Sequence, residues 1–541
     1  MTTPVSTAPP SHEQLFGHPK GLYICFATEM WERFSFYGMK FLLLLYLTKY
    51  HLFSDAAGYD VLGAYAGLVY ALPVIGGLLA DRYLGMRKAV IFGAILLTGG
   101  HLLMAYEGQP AAYYAAGTLL ASDLTLNDGT VMAAGTTLSG AVVVQDIMAL
   151  NVFFLALALI SVGVGFLKPN ISTLVGQLYE QGDARRDSGF TIFYMGINVG
   201  AFAATLLCGW LGETFGWNYG FGAAGVGMLL GLLTFINGQK HLQGLAEPSA
   251  PDVLQQPVLG PLNREWLIYL GSLLSLVIVW LGLQHENIVH LSQNTLLIIA
   301  LIALPLYALL KGSREEFQRT LVLMVLIASS VVFWSLFEQS AGSMTLYADR
   351  VVDRSLFDGE IRASMFGSLN PFFIITCAPL FALLWVWLGR RGWEPSVPVK
   401  FGVGIILAGL GFGSMVAGAQ LLGDSGKVAM GWLALAYFLH TAGELCLSPV
   451  GLSAVTKLSI QRVVGVTMGT WFLAMSLSQI VATRLGKMAS IDIAADETQD
   501  LAVALATYTE LYQFLMWTGI GIGVLMLVLA PLLKKGMHGV R

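Results

Sequence analysis

The sequence predicts an all-α integral membrane protein with fourteen membrane-crossing helices. Of its 541 residues, 56% are hydrophobic and only 11% are charged, and long apolar segments recur from one end of the chain to the other. Soluble domains carry roughly 25% charged residues, so this chain lacks the charge that a water-exposed surface needs. The net charge of −4 is small and argues against a nucleic-acid partner.

A membrane-crossing helix needs about 20 mostly apolar residues. Fourteen such segments follow one another in the order six, two and six, near 21–47, 59–80, 88–106, 150–170, 190–211, 218–237, 266–284, 294–311, 320–346, 365–388, 399–423, 429–455, 464–485 and 510–533. The predicted parts are a tail (1–20), an N-terminal six-helix bundle (21–237), a linker (238–265), two additional helices (266–311), a C-terminal six-helix bundle (320–533) and a tail (534–541). Two six-helix halves are typical of transporters whose substrate site lies between the halves at mid-membrane.

The distribution of basic residues predicts which side of the membrane holds the termini. An even number of spans places both termini on the same side. The loops and tail on that side contain sixteen Lys and Arg residues, whereas the loops on the other side contain six. Because Lys and Arg accumulate in cytoplasmic loops, we expect both termini in the cytoplasm. The outside stretch 107–149 contains no Lys or Arg and is longer than a simple turn.

No pattern in the sequence is typical of a metal or catalytic site. The four cysteines lie inside apolar segments and form no spaced cluster, which indicates buried apolar side chains. The run from His285 to His290 reads His-Glu-x-x-x-His, one residue longer than the zinc protease motif, and the sequence contains no Gly-x-Ser-x-Gly. We therefore expect no metal, no cofactor and no enzymatic activity.

Ionisable residues form one stripe along the first predicted helix. Glu32, Arg33, Tyr37 and Lys40 follow Glu29 at helical spacing, which places all five on one face. A charged group inside the membrane costs at least about 2.5–3.5 kcal/mol and marks a functional site by default. A structural salt-bridge cluster near the interface is the alternative, but it would need only one acid and one base. The second carboxylate favours uptake of a proton by the cluster.

Three other spans each contain a notable charge. Lys168 lies in the fourth span, Glu338 in the first span of the C-terminal half and Glu444 in the fourth span of that half. Lys168 can also be explained as a lysine that reaches from the cytoplasmic end of its helix to water. Glu338, on an aromatic-rich span, is predicted to bind and release a proton. Glu444 calls for a basic partner from the first half, and Lys168 is the natural candidate for a salt bridge between the halves.

The loop after the second span resembles the signature of the major facilitator superfamily. Residues 77–88 read Gly-Leu-Leu-Ala-Asp-Arg-Tyr-Leu-Gly-Met-Arg-Lys, with Asp81, Arg82, Gly85 and Arg87 at the matching positions. The resemblance implies a structural loop in which Asp81 holds the end of a neighbouring helix and small residues allow close helix contact. Simple anchoring in the cytoplasm is the alternative for such a basic loop.

Further motifs together resemble the proton-dependent oligopeptide transporter family (POT/PTR) of that superfamily, over nearly the whole chain. They are Glu29-x-x-Glu32-Arg33-Phe34, Phe-Leu-Lys168-Pro-Asn, Phe193-Tyr194-x-x-Ile197-Asn198-x-Gly200, and Gly443-Glu444 followed by Ser448-Pro449. Bacterial members of the family have two extra helices between the halves, which agrees with the spans at 266–311. The sequence departs from the pattern at Phe36, often a tyrosine, and at Lys40, often an arginine. Lysine keeps the charge but loses the bidentate grip on a carboxylate.

The resemblance implies a symporter that takes up di- and tripeptides together with protons by alternating access. It further implies a monomer in the inner (plasma) membrane of a bacterium, with no cofactor besides the coupling proton. Two alternatives stay open. A relative that carries nitrate or another small anion is disfavoured by Glu444, because an anion carrier needs no acid for an ammonium group. A channel belongs to a different class, and flux insensitive to a proton gradient would favour it.

The resemblance also implies a role for individual residues. Proton coupling is implied for Glu29, Glu32, Arg33 and Glu338. The peptide carboxylate would be attracted by Lys40 and Lys168, and the peptide ammonium would be held by Glu444. The remaining residues implied in substrate binding are Tyr37, Tyr70, Asn198 and Asn370, which would bind the peptide backbone, and Trp334 and Trp471, which would form apolar walls.

Overall fold

The computed structural model describes residues 14–180, 183, 185–242, 244–248, 250–423, 425–491 and 500–540, without the side chains of residues 286, 449, 450 and 452. The α-helices in these residues are α1 (Lys20–Lys49), α2 (Asp55–Leu79), α3 (Met86–Leu103), α4 (Ile147–Gln177), α5 (Arg186–Phe215), α6 (Trp217–Gly238), α7 (Pro251–Gln255), α8 (Arg264–Gln284), α9 (Glu286–Lys311), α10 (Arg314–Phe337), α11 (Ser343–Arg350), α12 (Leu369–Arg390), α13 (Val397–Gln420), α14 (Met430–Leu458), α15 (Val464–Lys487) and α16 (Leu501–Gly536).

Most of these helices can cross a membrane. Within the described residues, thirteen helical segments are long and apolar enough to do so. Helix α1 adds a further span of 30 residues, whose hydropathy is lowered by its stripe of charged side chains. It packs against α5 and α6 inside the first bundle. The predicted all-α membrane fold is confirmed.

The chain folds into two helical halves. In the first half α1 packs against α5 and α6, and α4 packs against α2 and α3. In the second half α13 packs against α14 and α16, and α10 packs against α15. The halves meet along two seams, one between α2 and α15 and the other between α5 and α12. Residues in the middle of these seam helices therefore face a space between the halves.

Small residues allow the helices of the first half to approach closely. A Cβ atom on Gly200 of α5 would lie only 2.1 Å from the carbonyl oxygen of Met30 on α1. A glycine at this position therefore permits the backbone contact, as is usual where membrane helices pack without a hydrophobic driving force. The contact lies one residue from Glu29 and fixes the height of the charged stripe of α1.

The two additional helices occupy different places. Helix α8 contacts α4 and α2, so it lies on the first half. Helix α9 contacts α2 of the first half and α10 and α15 of the second half. Helix α9 therefore lies along the α2–α15 seam.

The predicted span near 320–346 lies within the helical segment Arg314–Arg350, and the helix is interrupted inside it. Helix α10 ends at Phe337, a 3-10 turn covers Glu338–Ala341, and α11 begins at Ser343. The side chain of Gln339 links the break to α15 and to the start of α11, since its Nε2 donates to Ala482 O at 2.7 Å and its Oε1 accepts from Ser343 Oγ at 2.7 Å. The interruption is thus stabilised by a contact with α15 that a single span cannot reveal.

The long stretch 107–149 between α3 and α4 forms a β-hairpin layer. Strand Ala112–Tyr114 pairs antiparallel with Val142–Val144, and Leu124–Thr125 pairs antiparallel with Val131–Met132. Asp146 closes this layer onto α4, because its carboxylate accepts from the backbone N–H groups of Ala149 and Gln109, both at 3.0 Å. The remaining short strands are Gln14–Leu15, His18–Pro19, Pro257–Leu259, Leu262–Asn263, Val352–Asp353, Ser355–Leu356, Gly359–Glu360 and Val428–Ala429.

The loop after α2 holds the linker between the halves. Gly85 has a φ of 72°, a conformation that favours glycine, and packs against the backbone of Pro248. Arg87 makes two hydrogen bonds to the Glu247 carboxylate, at 2.5 and 3.0 Å. The prediction that Asp81 holds a helix end is wrong. Asp81 and Arg82 are exposed on a π-helical turn, and Asp81 makes no described hydrogen bond or ion pair, so Arg87 provides the anchor instead.

Candidate functional site

A cavity of about 160 Å³ lies between the two halves at the middle of the helices. Helices α1, α2 and α5 line it from the first half, and α10, α12 and α14 line it from the second half. Most of the residues predicted to bind substrate meet here, together with the predicted proton site Glu338. They are Tyr37, Lys40, Tyr70, Asn198, Trp334, Glu338, Asn370 and Glu444.

A buried ion pair joins the two halves in this cavity. Lys40 Nζ of α1 lies 2.6 Å from Glu338 Oε2 at the break after α10. Both side chains are 7% exposed, so water screens the pair little. The sequence predicted roles for both residues but did not predict that they contact each other. The contact therefore ties α1 of the first half to the end of α10 in the second half at the level of the cavity.

The predicted cluster on α1 forms as expected from its spacing. The Arg33 guanidinium contacts both carboxylates: Nη2 donates to Glu32 Oε1 at 2.6 Å, and Nε lies 3.3 Å from Glu29 Oε1. Nε also donates to Glu32 Oε2. All three side chains are buried, and Glu29 Oε2 has no hydrogen-bond partner among the described residues. Two carboxylates thus share one guanidinium, and one of them can accept a proton without leaving an unpaired cation.

Glu444 is positioned by polar neighbours of its own half. Asn370 Nδ2 of α12 donates to Glu444 Oε2 and to Thr441 Oγ1, both at 3.0 Å. Glu444 is buried and lines the central cavity. The second half therefore presents a second carboxylate to the cavity besides Glu338, and a cationic group entering the cavity would find a hydrogen-bond acceptor there.

Lys168 lies beside the cavity and not in its lining. Its ammonium lies over the Tyr70 ring, 4.5 Å from the ring centre, and Tyr70 separates it from the cavity that it lines. The predicted salt bridge between Lys168 and Glu444 is not formed in this conformation. Each partner is held within its own half, Lys168 by the Tyr70 ring and Glu444 by Asn370.

Trp471 also lies outside the cavity lining. The ring packs against α14, where a Cβ atom on Gly451 would lie 2.9 Å from its edge. The glycine leaves room for the indole between α14 and α15, so the ring is buried in the second half. The sequence-based expectation of an apolar substrate wall at Trp471 has no support in this geometry.

Several cavity residues were missed by sequence reasoning. The missed residues follow predicted ones at one helical turn: Phe41 after Tyr37, Phe337 after Trp334 and Ile374 after Asn370. Helical spacing was therefore a signal that could have found them. The other missed residues are Tyr194, Ile197, Ala201, Ser340, Gly367, Pro371 and Ser448.

Polar contacts close the cavity at the face opposite the termini. Helix α11, the 3-10 segment Ala363–Ser368 before α12 and the end of α15 meet α1, α2 and α5 there. The contacts are Arg350–Asp55, Lys49–Asp349, Lys487–Asp60 and Ser364–Glu213. Each contact joins the first half to the second, so opening this face requires all of them to separate.

The described residues contain no group of three His, Cys, Asp or Glu side chains that could hold a metal ion. The cavity lining itself contains one acid–base pair, Lys40 and Glu338, and a further carboxylate, Glu444. These groups offer opposite charges at two places, which suits a binding site for a small molecule with charged ends.

Comparison with known proteins identifies the family. A profile of the POT family matches residues 87–498. The chain is 36% identical to "Uncharacterized transporter YclF" of Bacillus subtilis, with 97% of this chain and 96% of the relative covered. It is 36% identical to "Peptide transporter YePEPT" of Yersinia enterocolitica, with 89% and 90% covered. It is 30% identical to "Dipeptide and tripeptide permease B" of Aliivibrio fischeri, with 97% and 96% covered.

Solved structures give the same result. The fold matches a crystal structure of a mutant of the peptide transporter POT in complex with alafosfalin, with a TM-score of 0.78, 33% identity and 98% of each chain covered. It also matches a POT family transporter in complex with 5-aminolevulinic acid, with a TM-score of 0.72, 27% identity and coverage of 96% and 98%. This chain is a multi-pass membrane transporter of the major facilitator type, and it belongs to the POT family.

Proposed function

We propose that this protein is a proton-coupled symporter that takes up di- and tripeptides by alternating access. The observation that carries the proposal is the central cavity, whose lining contains both the Lys40–Glu338 ion pair and the Glu444 carboxylate. Two relatives at 36% and 30% identity are named as a peptide transporter and a dipeptide and tripeptide permease, which supports the same substrate class.

A zwitterionic peptide has an ammonium at one end and a carboxylate at the other. Glu444, held by Asn370, would bind the ammonium. Lys40 would bind the carboxylate once Glu338 is protonated, with Lys168 and Arg33 adding positive potential from behind Tyr70. Tyr37 and Asn198 would bind the peptide backbone, and the aromatic lining would accommodate varied side chains. Such a cavity recognises the two charged ends of the peptide and accepts different side chains between them.

Protons would enter at two acids. Protonation of Glu338 releases Lys40, and the Glu29–Glu32–Arg33 cluster can accept another proton without losing its internal ion pair. Breaking the Lys40–Glu338 contact removes one link between the halves, which allows them to rock around the cavity. One charge that crosses 100 mV supplies about 2.3 kcal/mol. Since tenfold accumulation requires about 1.4 kcal/mol, one proton suffices for well over tenfold accumulation of peptide.

The proposal includes the setting of the protein. The excess of Lys and Arg in the loops on the side of the termini supports cytoplasmic termini. With that orientation, the closed face carries the β-hairpin layer and faces outward, and the protein takes up peptides across the inner membrane of a bacterium. The transporter would act as a monomer with the proton as its coupling ion and without a cofactor or catalytic activity.

The first experiment is uptake of labelled dialanine into proteoliposomes with an acidic outside and an inside-negative potential. Wild type should accumulate dialanine only when the gradient is present. Glu338→Gln should retain exchange of dialanine but lose accumulation, because the substituted side chain cannot carry a proton. Glu360→Gln, an exposed acid in the outer loop, is the matched control and should accumulate as wild type does. Accumulation by Glu338→Gln would contradict coupling through Glu338.

An anion carrier of the same family is the second candidate. Glu444 argues against it, because a buried carboxylate in the cavity repels a small anion and serves an ammonium group. If wild type fails to move dialanine under every gradient, nitrate uptake in the same vesicles should be measured. Nitrate uptake without dialanine uptake would replace the peptide proposal with the anion proposal.

A further inference from the structure

An apolar groove lies between the additional helix α8 and the first half. Its volume is about 290 Å³, and it shares no residue with the central cavity. Residues of α2, α4 and α8 line it with aliphatic side chains, glycines, one phenylalanine ring and two serines. The groove is open on one side, because the lining residues Ile75 of α2 and Gly271 of α8 are exposed. A molecule in the surrounding bilayer can therefore enter it.

Helix α8 is fixed to the first half on both sides of the groove. At its start, the Glu265 carboxylate accepts hydrogen bonds of 2.6 and 2.7 Å from Lys88 Nζ of α3. Near its other end, Trp280 Nε1 donates to Asn151 O of α4 at 3.1 Å. The lining residues of α8 lie between these two contacts. The contacts therefore hold the groove at a defined width while both are formed.

The wall of the groove suits a hydrocarbon chain. The hydroxyl groups of Ser272 and Ser275 donate within α8, to Ile268 O and Ser272 O, both at 2.7 Å. Both serines are thus satisfied and need no polar ligand. At Gly271 no heavy atom lies within 4 Å of the position of a Cβ atom, so the middle of the groove has room for a chain of methylene groups. Such a chain gains dispersion contacts with the apolar wall.

Two arginines lie at the end of the groove nearest the termini. Arg82 follows the lining residue Leu79 by three residues, and Arg264 precedes the lining residue Leu267 by three residues. Both guanidinium groups lie 5.5 Å from the centre of the Tyr83 ring. Two cations that converge on one ring repel each other, and an anion beside them would lower that repulsion.

The acids of this region leave both arginine charges available. Glu247 and Glu265 are already bound by other basic side chains. The remaining acids, Asp81 and Asp252, are exposed and form no ion pair within the part of the chain that the structure describes. Arg264 makes one hydrogen bond, to a backbone carbonyl oxygen of α7. The end of the groove therefore favours an anion.

The position of α8 places this end at the boundary between membrane and water. Trp266 is exposed two residues after Arg264, and tryptophans concentrate at the level of the lipid headgroups. From there the groove follows α8 from Leu267 to Ser275, about 12 Å along the helix axis toward the middle of the membrane. A molecule with an anionic head and a long apolar chain fits both parts.

We propose that this groove holds one acyl chain of an anionic phospholipid whose phosphate binds Arg82 and Arg264. With the proposed cytoplasmic termini, the phosphate lies at the cytoplasmic surface, where basic pockets between membrane helices bind such headgroups. The apolar groove that continues from the arginines favours a phospholipid over a free phosphate ion. Helix α8 thus completes a lipid site that α2 and α4 alone would not enclose.

The acyl chain is tested by native mass spectrometry of the full-length protein released from nanodiscs of phosphatidylcholine and phosphatidylglycerol. Wild type should retain one phosphatidylglycerol. Gly271→Leu should lose it, because the leucine side chain occupies the space of the acyl chain. Gly521→Leu is the matched control, since Gly521 of α16 is also exposed, has no heavy atom within 4 Å of a Cβ position and does not line the groove. Equal melting temperatures of the two variants in phosphatidylcholine alone show that both are folded.

The headgroup is tested by the melting temperature in phosphatidylcholine nanodiscs to which phosphatidylglycerol is added. Wild type should be stabilised as the anionic lipid increases. Arg264→Gln should need about fivefold more phosphatidylglycerol for half of the effect, because one basic residue near a lipid headgroup contributes roughly that factor. Arg314→Gln is the matched control, since Arg314 is exposed at the start of α10, at the same end of the helices, and does not lie at the groove.

Three results would overturn the proposal. If Gly271→Leu retains phosphatidylglycerol as Gly521→Leu does, the groove does not hold the acyl chain. If Arg264→Gln and Arg314→Gln respond to phosphatidylglycerol to the same degree, the effect belongs to the general surface charge. If inorganic phosphate in phosphatidylcholine nanodiscs stabilises wild type as strongly as phosphatidylglycerol does, and Arg264→Gln removes that effect, the ligand is a soluble phosphate.

Discussion

The Arg350 guanidinium at the end of α11 binds both carboxylate oxygens of Asp55 at the start of α2. The two hydrogen bonds are 2.6 and 2.7 Å long. The pair is buried, with Asp55 only 3% exposed. Tyr508 of α16 accepts a further hydrogen bond from Arg350, and the backbone N–H of Ile491 donates to Asp55. Four separate segments from the two halves therefore meet at one ion pair on the closed face.

Loss of either partner should open this face. Asp55→Asn or Arg350→Gln leaves a buried charge without its counterion, which typically costs 3–5 kcal/mol in the closed state. We expect a shift of the population toward conformations with the outer ends apart. Spin labels at Tyr106 and Val503, both exposed at the outer ends of α3 and α16, should show longer distances in electron paramagnetic resonance.

A double variant provides the control for this prediction. Asp55→Asn combined with Arg350→Gln should shift the distances less than either substitution alone, because the double variant leaves no buried charge without a counterion. Unchanged distances in all three variants would show that the remaining contacts keep the face closed without this pair.

The role proposed for Glu444 predicts a selective loss of affinity. Glu444→Gln should weaken dialanine binding roughly 10- to 100-fold, because a hydrogen bond between charged groups contributes about 1.5–3 kcal/mol. N-acetyl-dialanine has no ammonium group, so its affinity should be the same for wild type and variant. Competition against labelled dialanine in exchange assays measures both. Equal losses for the two ligands would mean that Glu444 shapes the cavity and does not bind the ammonium.

The close contact between Gly85 and the linker predicts that a larger residue at this position lowers stability. Gly85→Ala would place a Cβ atom 2.5 Å from Pro248 N in a residue whose φ is 72°. Strain of this kind costs roughly 1–3 kcal/mol, and thermal unfolding in detergent should show a lower melting temperature. Gly99→Ala is the matched control, since nothing lies within 4 Å of a Cβ atom at that position of α3. The control should match or slightly exceed the wild-type stability.

A buried histidine at the outer end of α1 predicts a pH effect on stability. His51 has no exposed surface, and the Tyr46 ring centre lies 4.7 Å from its own. Burial lowers the pKa of His51 to about 4, although Asp146 acts in the opposite direction. The unfolded chain therefore binds more protons than the folded protein between about pH 6.5 and pH 4, so stability falls as the pH falls through that window.

The measurement is the melting temperature at pH 7 and at pH 4.5. Wild type should lose more of its melting temperature than His51→Phe, whose ring cannot be protonated. The exposed residue His285 supplies the control, and His285→Gln should follow wild type. An equal loss in wild type and His51→Phe would mean that other groups carry the pH dependence.

The number of membrane-crossing helices and the charged face of α1 could be predicted, because each depends on local sequence. The length of an apolar segment determines whether it can span a membrane, and helical spacing places Glu29, Arg33 and Lys40 on one face. The outer hairpin also had a local signal, because Asn127-Asp128-Gly129 between short β-rich runs is typical of a hairpin turn. Length alone indicates a long loop at 107–149, and that interpretation does not use this turn signal.

Features that depend on contacts between distant segments could not be predicted. The resemblance implied a role in substrate binding for Lys40 and in proton coupling for Glu338, but their contact depends on the relative height of α1 and α10, which no local pattern encodes. The break between α10 and α11 depends on the hydrogen bond from Gln339 to Ala482 of α15. The resemblance implied a cavity wall at Trp471, whereas the ring occupies the space left by Gly451 between α14 and α15.

The position of α9 makes the two seams of the protein unequal toward the bilayer. Along the α2–α15 seam, α9 contacts both halves and shields the boundary from acyl chains. Along the α5–α12 seam, Phe202 and Phe372 meet across the boundary, and Phe372 is 44% exposed. Acyl chains thus contact the α5–α12 seam directly, whereas α9 lies between the acyl chains and the α2–α15 seam. A change in bilayer thickness or fluidity would accordingly act on the rocking of the halves from one flank.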